Sequence, residues 1–108
     1  MELIDITVNC PSEDIADTIA DALIEARLIA CANRHAPVQS RYFWNGRVEA
    51  AQEVPLLLHT RRELFDAVVG MVRRHHPDET PSILAVRIEA ANQDYAEWLM
   101  AETASGRG

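Results

Sequence analysis

The sequence predicts an α+β fold on three observations. Apolar residues gather in strand-length segments at 3–8, around the middle of the chain, and at 82–89. Two intervening segments carry apolar residues at helical spacing, and Asn45-Gly46 is the strongest two-residue hairpin signal in the chain.

The first strand holds Leu3, Ile4, Ile6 and Val8 and is ended by Asn9-Cys10-Pro11, after which Ser12 is placed to cap a helix. From 13 to about 28 the residues Ile15, Ile19, Ala22, Leu23 and Ala26 fall at helical spacing. Glu13, Asp14 and Asp17 bring negative charge to the positive end of that helix's dipole. The second strand is predicted from about 29 to 44 and the third from 47 to about 60, joined at Asn45-Gly46. Arms of roughly 14 residues at ~3.3 Å per residue extend about 46 Å, more than a domain this small spans, so part of the hairpin projects or bends. Pairing Trp44 with Arg47 places Pro37 opposite Val54 and Pro55 opposite Ala36. Proline has no N–H to give the ladder, so a bulge or kink is expected at that level, separating an inner sheet portion from an outer arm.

Thr60-Arg61-Arg62-Glu63 has the form of a capping box and predicts a second helix through Leu64, Val68, Met71 and Val72, ending near His75-His76 before Pro77. The last strand, about 82 to 89, carries Leu84, Val86 and Ile88 on one face and Ile83 and Ala85 on the other. Asn92 is placed to cap a short terminal helix whose stripe is Tyr95, Trp98 and Leu99. Residues 1–104 therefore read as a single domain and 105–108 as a flexible tail. The βαββαβ order is that of a ferredoxin-like sandwich with an extended β2-β3 hairpin and a C-terminal helix, its first and third strands central and its helices on one sheet face. The other face asks for a cover from neighbouring subunits.

At 108 residues the chain buries roughly two-thirds of its unfolded surface, so added burial between subunits matters. No apolar stretch approaches the ~20 residues of a membrane span, and the acidic N-terminus lacks the pattern of a signal peptide; a cytoplasmic location is expected. A net charge of −7 argues against nucleic acid as a partner. All ten basic residues are arginine, so no lysine serves a Schiff base or phosphate loop, and no nucleophile triad is legible; no enzymatic activity is expected.

Tyr42, Phe43 and Trp44 are half of the six aromatic residues and lie at the hairpin tip. Tyr42 and Trp44 share one strand face and Phe43 takes the other, so a lone hairpin leaves apolar surface wet. The tip is read as an intersubunit anchor.

The stretch Leu28-Ile29-Ala30-Cys31-Ala32-Asn33, then Ser40-Arg41-Tyr42-Phe43-Trp44-Asn45-Gly46, Glu53, His75-His76-Pro77, Pro81 and Tyr95-Ala96-Glu97-Trp98-Leu99 resembles the CutA divalent-cation tolerance family over nearly the whole chain. The resemblance implies a homotrimer of ferredoxin-like subunits with Tyr42, Phe43 and Trp44 at the trimer interface, similar in architecture to PII-type signalling trimers. It also implies a role in copper or divalent-metal tolerance, with metal held by Cys10, His75 and His76. The chain departs from the family's usual Lys, Tyr and Glu at His59, Asp78 and Ser82.

Thiolate with imidazoles suits copper (Cu2+) or zinc better than magnesium or calcium, and no organic cofactor is expected. Cys10 precedes a helix N-terminus, whose dipole favours thiolate. The plainer alternatives are a buried Cys10 and a histidine pair that serves as a cationic helix cap. Asp78-Glu79 offers either an oxygen ligand or ordinary loop polarity, and His35 and His59 have no matched partner in the sequence. The leading function is a homotrimeric divalent-metal tolerance protein with weak metal binding and a possible unidentified protein partner. The alternative is a PII-like scaffold or signalling trimer that takes a small ligand or partner protein at intersubunit clefts.

Overall fold

The computed structural model describes residues 2–104; the expected tail at 105–108 lies outside them. In chain order the elements are β1 (Leu3–Cys10), α1 (Glu13–Glu25), β2 (Cys31–Arg34), β3 (Val38–Trp44), β4 (Arg47–Arg61), a 3-10 turn (Arg62–Leu64), α2 (Phe65–His75), β5 (Ile83–Arg87) and α3 (Gln93–Glu102). The sheet runs β2-β4-β1-β5, with β3 paired to the outer half of β4. Its two central strands are the first and third predicted ones, and the ferredoxin-like order stands.

Strand alternation decides what is buried. The even-numbered side chains Ile4, Ile6 and Val8 of β1 and Leu56 and Leu58 of β4 pack with Ile19 and Leu23 of α1 and Val68 and Val72 of α2. Each such side chain stabilises by roughly 1.5–3 kcal/mol, which makes this layer the main apolar contribution to folding. The odd-numbered residues of β1 and β4 face the other side, where α3 covers one end. Arg61 holds it there: its Nε donates to Thr103 Oγ1 at 2.9 Å and its guanidinium to the Met100 carbonyl at 2.7 Å. The chain thus supplies part of the cover expected from neighbours, while Leu84 and Val86 stay 66% and 67% exposed.

Ser12 caps α1 as expected, its Oγ accepting from the Ile15 N–H at 3.2 Å. The helix ends with Arg27 at φ 60. Arg27 N–H reaches the Ile24 carbonyl and Leu28 N–H the Leu23 carbonyl, each at 3.0 Å, a double closure that needs a left-handed residue.

The capping box at Thr60 does not form. Thr60 is a fully buried strand residue, its hydroxyl donating to the Leu28 carbonyl at 2.6 Å, and β4 runs on to Arg61 before the 3-10 turn. A β-branched residue paired opposite Ile4 serves the strand better than the helix end.

The hairpin turns where expected, with Asn45 at φ 52 and Gly46 at φ 77, the two positive angles that match strand twist. The register is Trp44 with Arg47 through to Val38 with Glu53, and then Arg34 with Leu56. Residues 35–37 therefore face only 54 and 55, one extra residue at the level of the two prolines. The arm beyond it lengthens the molecule to 45 Å against 26 and 22 Å in the other directions.

Candidate functional site

β1 and α2 finish at one end of the sheet. Pro77 prevents α2 from continuing, and His76 turns into extended backbone at φ −90 and ψ 128. Its ring is buried against β1, with Nε2 2.7 Å from the Asn9 carbonyl. The Asp78 N–H donates to His76 Nδ1 at 3.1 Å, which fixes Nδ1 as acceptor and Nε2–H as donor. Both ring nitrogens of His76 are thus engaged in the neutral form. His75, the last residue of α2, is half-buried beside it.

Cys10 ends β1 on the helix side, wholly buried, its Sγ 3.9 Å from the Val8 carbonyl. Burial, then the negative charges of Glu53 and Asp78, push its thiol up from 9.0 to about 11. The helix dipole expected to favour thiolate does not prevail, because a buried sulfur loses solvation and faces two carboxylates. Topology brings Cys10 and His76 to the same end, but no three His, Cys, Asp or Glu side chains are arranged to hold a metal among the described residues.

Next to this end lies a cleft of about 790 Å³ between the hairpin arm and residues 77–82. Tyr42, Trp44, Glu49 and Glu53 line it from the arm, Asp78 and Glu79 from the loop, and Asn9 from β1. Tyr42 and Trp44 are each less than half exposed, whereas Phe43, on the opposite strand face with its partner Val48, is 76% exposed. The aromatic tip therefore has two sides of different character. Glu53 gives no local signal of such a role, since the wall forms only when the 77–82 loop meets the arm.

The open sheet face holds a second polar group. Cys31, His59 and Asp5 occupy one cross-strand row, and His59 Nδ1 pairs with Asp5 Oδ1. Tyr95 of α3 meets the His59 ring edge-on at 6.2 Å. Its phenol is pushed up by burial first, then by charge interaction and hydrogen bonding with Cys31, and last by the charge of Asp5. His59 does have a partner, contrary to expectation. Asp5, a lone carboxylate inside an otherwise apolar-alternating strand, was the signal for it.

The family model described as CutA1 divalent ion tolerance protein matches residues 4–102. This chain belongs to the CutA1 divalent ion tolerance family. The divalent-cation tolerance protein CutA of Thermus thermophilus is 41% identical over 98 residues, covering 91% of this chain and 95% of the relative. Human Protein CutA is 37% identical over 98 residues, 91% of this chain, but the chain spans only 55% of the human protein. The crystal structure of CutA1 from Oryza sativa matches with a TM-score of 0.94 at 30% identity, over 97% of this chain and 96% of that one. Among the described residues no helix is long and apolar enough to cross a membrane.

Proposed function

We propose that this CutA1-family chain is the subunit of a cytoplasmic homotrimer that acts in divalent-cation tolerance by binding metal weakly rather than by catalysing a reaction. The match to the family over residues 4–102 carries the reading. The wet side of the arm, Phe43 with Val48, together with Leu84 and Val86 on the uncovered sheet face, supports burial against neighbouring copies. Phe43→Asp is expected to convert a trimer to smaller species in analytical ultracentrifugation. An unchanged sedimentation coefficient would remove the arm from the interface.

Copper is the metal proposed, with His75, His76 and Cys10 as ligands. Weak affinity follows from their present engagement: His76 must release the Asn9 carbonyl and the Asp78 N–H, and Cys10 must lose a proton held up to about pH 11. Calorimetric titration of Cu2+ into the wild type and Cys10→Ala/His75→Ala/His76→Ala tests this assignment. Loss of binding in the variant supports it, and equal affinities exclude these three residues.

A further inference from the structure

The cleft between the hairpin arm and residues 77–82 carries chemistry that metal tolerance at Cys10 and the histidines does not use. Its volume of about 790 Å³ falls in the ~300–1,000 Å³ range of small-molecule sites. Two aromatic side chains, Tyr42 and Trp44, form part of one wall and keep exposed area toward solvent. Glu53 on the arm and Asp78 and Glu79 on the loop form no ion pair among the described residues, and Glu49 meets Arg47 only at 3.8 Å. Among the described residues Arg41 is the one basic residue in the lining.

That composition selects among ligands. A phosphate or nucleotide would face four carboxylates and a single guanidinium. A bare metal ion needs donors that converge, and the carboxylates are spread over both walls without forming a metal-holding group among the described residues. An extended organic cation fits both facts. Its separated ammonium groups reach separated carboxylates, its methylenes lie along the rings, and an ammonium over Tyr42 or Trp44 gains cation–π attraction. The net charge of −7 draws such a ligand toward the protein. We propose that this cleft binds a linear aliphatic polyamine between the aromatic wall of the arm and the carboxylates of Glu53 and Asp78.

Spermidine is the probe. It is titrated into the full-length protein carrying Trp98→Phe, with Trp44 fluorescence and calorimetry as readouts, at about 0.15 M salt so that loosely held charges are screened. Saturable binding of one spermidine per chain is expected. Glu53→Gln/Asp78→Asn is expected to weaken it roughly tenfold. Glu13→Gln/Asp17→Asn, which removes two exposed carboxylates on α1, leaves affinity unchanged. Failure to saturate overturns the proposal, as does equal weakening by both double variants, which would signify diffuse attraction to an acidic protein. Parallel titrations use inorganic phosphate and Cu2+; if either binds the cleft and displaces spermidine at equal concentration, the ligand class is wrong. Whether spermidine saturates the cleft does not bear on whether the triple variant loses copper, so the two proposals fail separately.

Discussion

His76 donates from Nε2 to the carbonyl of Asn9 at 2.7 Å, fastening the end of α2 to the end of β1. Two elements that already share the buried layer are thereby also fastened at their ends, and the loop that walls the cleft starts from a fixed point.

His76→Ala should destabilise the protein by about 1–3 kcal/mol, since it strands a carbonyl and an amide that the buried ring satisfies. His75→Ala should stay within about 0.5 kcal/mol. Urea unfolding of both variants distinguishes a structural histidine from its neighbour.

The Cys10 thiol gives a pH signature. Its folded pKa, about 11, lies above the ordinary thiol value of 9.0, so its favourable contribution is complete below pH 9 and is lost as pH rises toward 11. The sign follows because the unfolded chain gives up the proton first. Tyr95, also raised, adds to the loss above pH 10. Cys10→Ala should flatten the decline between pH 9 and 11 in unfolding curves, whatever it costs at neutral pH. Mass-spectrometric mapping of native alkylation at pH 8 should find Cys10 protected until the chain is unfolded.

Arg27 occupies a conformation glycine prefers, yet it has other duties. Its guanidinium donates to the Ala101 carbonyl at 3.1 Å and its own carbonyl accepts from Ala104 N–H at 2.7 Å, joining the end of α1 to the end of α3. Arg27→Ala keeps the backbone strain and loses the side-chain bond, so a loss of about 1 kcal/mol is expected. Arg27→Gly relieves the strain as it loses the bond and should lie closer to wild type. Thermal unfolding of the pair reads the difference.

Thr60→Asn separates two roles of one residue. At a helix cap asparagine is as good as threonine, so a capping role predicts little change. In the buried strand the larger amide has no prepared partners, and a loss of about 2 kcal/mol or more is expected. Ser12→Ala, at a cap that does form, should cost about 1 kcal/mol. Denaturant titration supplies both values.

The architecture was legible wherever short-range rules governed it. Ser12, Asn45-Gly46 and Pro77 act on their own few neighbours, and the two prolines revealed a bulge once the turn had set the register. Thr60 misled because its strand role is decided by the Leu28 carbonyl, 32 residues away. Cys10 misled for a similar reason. The dipole of α1 was visible next to it in sequence, whereas Glu53 and Asp78 reach it only through the fold. The cleft and the Asp5–His59 pair also depend on which strands become neighbours, and that is a property of the assembled sheet.

The extra residue between Arg34 and Val38 changes more than the direction of the arm. In β2 the odd-numbered Cys31 points to the same side as His59, but in β3 the even-numbered Tyr42 lies opposite the odd-numbered Glu49. Parity has been exchanged. The Asn45-Gly46 turn holds Tyr42 opposite Glu49 whatever lies between Arg34 and Val38, so deleting a single position among 35–37 would restore an unbroken ladder and take away the bend while leaving the arm's two sides as they are.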